Sequence, residues 1–171
     1  MKINFPMPNM NSPIIPRQSA AGFELNTHVD DIFEDKENIP LWNELTGSLP
    51  DVVLRTDHWI RFSPNFSNEL NTDTGDQFYF NKGALQLIFN RENFLKCIAL
   101  SDGYHGMLFE KISIGTRLGD VLKFFEIKYD QNDEVHYPAD EESYPGIEFY
   151  AEGCSLAESP EQVISAIFVK I

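Results

Sequence analysis

Gly22-Phe23-Glu24-Leu25-Asn26-Thr27 and Lys111-Ile112-Ser113-Ile114-Gly115-Thr116 are two alternating segments of one design. Each ends in a threonine whose hydroxyl can accept a backbone N–H and cap a helix. A short amphipathic stretch follows each. After Thr27, Val29, Ile32 and Phe33 share one helical face, and Asp30 stands where a capping box needs an acid. After Thr116, Leu118, Val121, Leu122 and Phe125 fall at i, i+3, i+4 and i+7, while Gly119 occupies the capping-box position and leaves that copy without the box.

Strand-like runs come next in both halves. Trp59 to Phe62 and Gln77 to Phe80 alternate, Asn81-Lys82-Gly83 makes a turn, and Ala84 to Phe89 and Phe94 to Leu100 complete a meander. In the second half Glu134 to Tyr137 precedes a Tyr144-Pro145-Gly146 turn, with strands at Ile147 to Tyr150 and Val163 to Val169. Strands and helices do not alternate as a parallel sheet requires. The expectation is an α+β fold made of two tandem helix plus antiparallel β-meander units, forming one curved sheet with helices on one side. Residues 1–18, rich in Pro and Asn, read as an extended arm whose few apolar residues, such as Ile14 and Ile15, either lie along the domain or add to a sheet edge. Residues 19–100 make the first unit and 101–171 the second, within one compact domain. Pro40 to Leu45 reads as a further short helix, ended by Gly47 and Pro50, and 63–76 as a polar loop.

The order of elements resembles the helix-and-sheet repeat of beta-lactamase inhibitor protein and of the outer-membrane lipoproteins sharing its fold. It is also similar to bacterial toxin-immunity proteins of the contact-dependent growth inhibition type. The likeness spans residues 19–171 in two copies. With no paired disulfides and no signal peptide expected, the chain departs from the secreted inhibitor. The resemblance therefore implies an immunity role: binding a cognate toxin domain, such as a nuclease, and blocking its active site.

Composition agrees with that direction. The 171 residues carry a formal net charge of −14, which repels nucleic acid and anionic membrane surfaces and favours a basic partner. The twenty-two aromatic residues argue against disorder. Cys97 sits in an apolar run and reads as a core residue, and two cysteines make no disulfide framework. No basic region followed by an apolar one opens the chain, and no apolar run approaches the roughly 18 residues of a membrane helix, so the expected compartment is the cytoplasm.

No assembled chemistry is legible. His28, His58, His105 and His136 are scattered without zinc-ligand spacing, and no nucleophile elbow, phosphate loop or dinucleotide fingerprint occurs. Asp130 to Glu134 begins like a calcium loop, but Val135 stands where the turn glycine is needed; Asn71 to Asp76 lacks a bidentate glutamate. The expectation is a non-enzyme with no cofactor and no metal, a monomer when free. Two acidic clusters remain: Asp30, Asp31, Glu34, Asp35 and Glu37, and a second between residues 130 and 142. Charge runs are by default solvated faces. The second cluster differs in its interleaved tyrosines, which with carboxylates can hold Arg and Lys. The expected partner surface is Asp130, Asp133, Glu134, Tyr137, Asp140, Glu141, Glu142 and Tyr144. The alternative is a module that binds a small molecule or peptide on a concave sheet face lined by Phe78, Phe80, Leu87 and Phe149.

Overall fold

The computed structural model describes residues 5–64 and 73–171. Its first elements are β1 (Ser19–Ala20) and β2 (Phe23–Glu24), a small hairpin, then α1 (Val29–Ile32), two 3-10 turns, Lys36–Asn38 and Glu44–Thr46, and α2 (Leu49–Leu54). The strands β3 (Ile60–Phe62), β4 (Gln77–Phe80), β5 (Leu85–Phe89) and β6 (Leu95–Leu100) follow. After a long connection come α3 (Leu118–Val121), β7 (Ile127–Asp130), β8 (Val135–Pro138), β9 (Ile147–Tyr150) and β10 (Ala166–Lys170). The last eight strands form one antiparallel sheet in the order 3-4-5-6-10-9-8-7. Two four-stranded meanders thus meet along β6 and β10, where Leu100 faces Ile167 and Ile98 faces Val169.

Register decides which face is covered. Residues directly opposite one another share a face. Phe78 faces Leu87, Leu87 faces Ile98, Ile98 faces Val169, and Val169 faces Ile147; Leu100 and Phe149 both flank Ile167. All these side chains are buried. Phe33, just beyond α1, stacks on Phe78 at 4.5 Å, and Phe125, beyond α3, stacks over Phe149 at 6.3 Å. Both helix-bearing segments therefore cover the same face. α2 goes elsewhere: its Val53 reaches the β4–β5 turn, where a Cβ on Gly83 would meet Val53 Cγ1 at 3.1 Å.

Several local expectations need correction. Thr27 does not cap α1: its carbonyl accepts the Leu95 N–H at 2.9 Å, and the cap is His28, whose Nδ1 accepts the Asp30 N–H at 3.3 Å. Asp30 pairs instead with Lys36 at 3.2 Å. Thr116 does not cap α3 either. Its Oγ1 accepts the Ser113 N–H at 3.0 Å, inside the preceding turn, and Arg117 occupies the cap position. Of the two matching segments, Phe23–Glu24 is strand, whereas Lys111 to Thr116 is a turn tied to the core by buried Ile112. Pro50 opens α2 rather than ending a helix, because the first helical turn has no internal use for its missing N–H. Of the two placements expected for the arm, its described residues take the one along the domain: Ile14 is buried and bridges Leu108, and none of them joins the edge of the large sheet. Residues 65–72 of the expected polar loop lie outside the described residues.

The same register moves the four residues expected to line a concave face. Phe78, Phe80, Leu87 and Phe149 are buried in the core and do not line an open concave face, although Phe80 also borders a hollow of ≈ 440 Å³ beside Trp59 and Pro40. The accessible face carries the alternate residues, among them Gln77, Tyr79, Gln86, Ile88, Glu148, Phe168 and Lys170.

Candidate functional site

The open face starts with a polar ladder. Tyr79 Oη donates to Gln77 Oε1 at 2.8 Å, and Gln86 Nε2 donates to that same oxygen at 2.8 Å and to Tyr79 Oη at 3.0 Å. Towards the middle of the sheet the floor turns apolar, with Ile88, Cys97, Phe168 and Val135 beneath a hollow of ≈ 790 Å³. Burial pushes the Cys97 thiol up to about 12, so it is a packed apolar group rather than a nucleophile. Both lysines of this hollow are engaged. Lys170 pairs with Glu148 across the face, and Lys96 donates to the Asp73 carbonyl and, at 3.1 Å, to Thr74 Oγ1.

A second hollow of ≈ 380 Å³ adjoins the first, sharing Asp133, Val135, Glu148 and Lys170. It collects five of the eight expected partner residues: Asp130, Asp133, Tyr137, Glu141 and Tyr144. Three separate segments bring them there. Asp130 ends β7, and Asp133 lies in the turn to β8 that also contains Glu134, held at a φ of 57°. Tyr137 is on β8, directly opposite Lys128 of β7, and so faces the open side. Glu141 and Tyr144 belong to the turn before β9. Among the described residues, Asp130, Asp133 and Glu141 have no cation within ion-pair distance; Asp130 Oδ1 accepts the Asn132 N–H at 2.8 Å, which shapes the turn.

The other three are used differently. Glu134 Oε2 lies 3.2 Å from where a Cβ on Gly153 would stand, turned to the loop after β9. Asp140 Oδ1 accepts the Ser143 N–H at 3.1 Å, and hydrogen bonds from Ser143 hold its carboxyl below the usual range, so it is a turn brace. Glu142 is exposed and lines neither hollow. Tyr144 is shared: it lines the hollow while its ring stacks on Phe125 at 4.5 Å and meets the edge of Phe109 at 5.7 Å.

The first acidic cluster is partly neutralised. Besides the Asp30–Lys36 pair, Glu37 accepts both Arg61 guanidinium nitrogens, at 3.0 and 2.9 Å, and this fork holds its carboxyl below the ordinary range.

Sequence reasoning missed β7. Ile127-Lys128-Tyr129-Asp130 alternates, and half-buried Ile127 and Tyr129 flank an exposed lysine, which is the signal that could have found it. Of the two calcium-like stretches, Asp130 to Glu134 closes the β7–β8 hairpin, while in the other Asp73 Oδ1 accepts the Arg91 N–H at 3.3 Å and Asp76 Oδ1 accepts Ser63 Oγ at 2.7 Å. Asn71 and Thr72 of the second stretch lie outside the described residues. Among the described residues no group of three His, Cys, Asp or Glu side chains is placed to hold a metal ion, and no helix is long and apolar enough to cross a membrane. No protein-family model, curated protein or solved structure matches the chain.

Proposed function

We propose that this chain is an immunity-type binding protein, which neutralises a basic toxin domain by laying the β7–β8 end of its open sheet face over the toxin's working surface. One observation carries the reading: Asp130, Asp133 and Glu141 converge on one hollow beside Tyr137 and, among the described residues, none of the three is ion-paired, the Lys170 of that hollow being paired with Glu148. Three carboxylates beside an aromatic ring suit guanidinium and ammonium groups. The net charge of −14 adds long-range attraction for a basic partner and speeds the encounter. Such a protein acts by occupancy and needs no turnover, no cofactor and no metal. The immunity role comes from the likeness of element order, and the acidic hollow supports the basic partner.

Within that reading the two meanders are two copies of one helix–meander unit. Strand order 3-4-5-6 against 10-9-8-7, with a short helix leading into each half, supports this. The first copy is enlarged by α2, the 3-10 turns and the β1–β2 hairpin.

The test is to read the gene immediately upstream and, where it encodes a toxin domain, to co-express the two and measure cell survival and complex formation. Survival that does not depend on the chain, or a toxin that fails to bind the purified protein, would sink the reading. A second reading is a small ligand in the larger hollow, favoured by its ≈ 790 Å³ volume and apolar floor. Thermal stabilisation by a small molecule, with no binding to the toxin domain, would point there.

A further inference from the structure

The two edges of the sheet are treated differently. At β3, the outer side is closed by the segment around Leu41: the Arg61 N–H donates to the Pro40 carbonyl at 2.9 Å, and the Trp42 N–H donates to the Arg61 carbonyl at 2.8 Å. At the other end, β7 pairs with β8 and, among the described residues, with no further segment. The bond from the Ala139 N–H to the Glu126 carbonyl, 2.8 Å, sets the alternation of the β7–β8 ladder. Lys128 and Asp130 therefore turn their backbone groups to β8. The N–H and C=O groups of Ile127 and Tyr129 point outward, as an unused strand edge.

The charges beside this edge are ordered. Successive strand residues point to opposite faces, so Glu126, Lys128 and Asp130 lie on the open face, the face of Tyr137 and the acidic hollow, while Ile127 and Tyr129 turn to the core. We infer that the free edge of β7 accepts an extended segment of the basic partner as a ninth strand, with two cationic side chains four residues apart opposite Glu126 and Asp130. The residue between them, opposite Lys128, is uncharged or acidic. Main-chain hydrogen bonds to Ile127 and Tyr129 supply the attachment, and the alternate cations supply the selectivity. The inference rests on the reading of the chain as a binder of a basic partner, and specifies how that partner is gripped. A second copy of this chain is the competing occupant, because Lys128 of one edge could face Asp130 of the other. A net charge of −14 on each copy opposes it.

The probe is the peptide acetyl-Gly-Arg-Val-Ser-Val-Arg-Gly-amide, titrated into the isotope-labelled full chain and followed by backbone amide shifts and hydrogen exchange. Three controls accompany it: the peptide with both arginines replaced by glutamate, the peptide N-methylated at both valines, and the Glu126→Gln/Asp130→Asn protein. The expected result is that the amides of Ile127 and Tyr129 shift and exchange about tenfold more slowly or better with the arginine peptide. All three controls lose the effect, and the double variant keeps the parent's spectrum elsewhere. Shifts confined to Asp133, Tyr137 and Glu141 would overturn the edge inference while leaving the acidic-face reading standing. No shifts with any peptide would overturn the inference, and the toxin-binding assay then decides the broader reading separately. Protection of Ile127 and Tyr129 without peptide, rising with protein concentration together with a doubled mass, would overturn it in favour of self-pairing.

Discussion

His136 lies directly opposite Phe149 in the β8–β9 ladder, on the covered face of the sheet, with both imidazole nitrogens buried and, among the described residues, without a hydrogen-bond partner. Its ring is 2 % exposed and tilts against Tyr129 at 4.9 Å. This histidine occupies a position the sheet otherwise fills with apolar side chains. Burial holds its pKa below the ordinary imidazole value, because the charged ring would lose its water and gain no acceptor.

That arrangement predicts a pH dependence of known sign. The unfolded chain takes up a proton near pH 6.5, whereas the folded chain resists until a lower pH. Above about 6.5 the residue has no effect on the slope. As pH falls below that value the unfolded state binds more protons, and stability drops by at most about 1.4 kcal/mol per pH unit until the folded pKa is reached. His136→Phe should remove this slope and gain roughly 1 kcal/mol at neutral pH, by replacing unpaired nitrogens with carbon. Urea unfolding at pH 7.5 and 5.5 checks it; a variant with the parent's slope would refute it. Glu37, Asp120, Asp140 and Glu158 have lowered pKa values and lose their contribution only in the more acidic carboxylate range, outside this window.

Gly146, at the turn into β9, should not tolerate a side chain. Its φ is +65°, and a Cβ there would overlap the Lys170 carbonyl oxygen and approach Arg17 Cβ at 3.3 Å. Its carbonyl also accepts the Lys170 N–H at 2.8 Å, so the backbone cannot move aside freely. Gly146→Ala should cost roughly 2 kcal/mol or more, the left-handed penalty plus the overlap. Thermal melts measure it, and an unchanged midpoint would contradict the argument.

How far the fold could be read depended on which physical rule acted locally. Gln77 to Phe80 alternates because one face is buried and the other wet, so the sequence of the strand reports its own burial. The same logic exposed β5, β9 and β10. It could not say which face a ligand would meet: Phe78 and Leu87 look equally suited to lining a core or a cleft until the register places Phe33 on top of them. The threonines misled for a related reason. A hydroxyl that can cap a helix can equally brace a turn, and Thr116 does so because residues 115–118 are held by Ile164 and Gln162, two contacts far away in sequence. For the candidate site, charge and tyrosine content located the β7–β8 region. Separating Asp140 and Glu134, which shape or face neighbouring loops, from Asp130, Asp133 and Glu141 required the turns themselves.

Cys97 should be unreactive in the native protein. It is buried at the floor of the larger hollow, and loss of solvent pushes its thiol to about 12, so almost no thiolate exists at pH 8. Burial likewise raises the Cys154 thiol. A chromogenic disulfide reagent at pH 8 should modify Cys97 only as fast as the chain unfolds, with the rate rising across the urea transition. A Cys154→Ala protein that reacts at once in native buffer would show that Cys97 is open to solvent.

The most informative substitutions separate the residues of the acidic face by what each touches. Asp130→Asn, Asp133→Asn and Glu141→Gln together remove three carboxylates from one hollow while keeping size and, at Asp130, the oxygen that accepts the Asn132 N–H. The fold should hold, since surface changes of this kind usually stay within about 0.5 kcal/mol each. Association with a basic partner should slow by about tenfold or more at low salt, and much of its salt dependence should disappear, because steering charges act mainly on the on-rate. Asp140→Asn with Glu142→Gln should matter less, as neither side chain lines the hollow. The two tyrosines should differ in kind. Tyr137→Ala removes a ring from the open face and should raise the off-rate, at a cost of roughly 2 kcal/mol in binding if it is a buried anchor of the complex. Tyr144→Ala removes the stack on Phe125 and should lower stability by about 3 kcal/mol, visible in a melt before any partner is added. Stopped-flow association at several salt concentrations, with dissociation measured separately, distinguishes these outcomes. If the triple carboxylate variant associates as fast as the parent at low salt, the β7–β8 end is not the face that meets the partner.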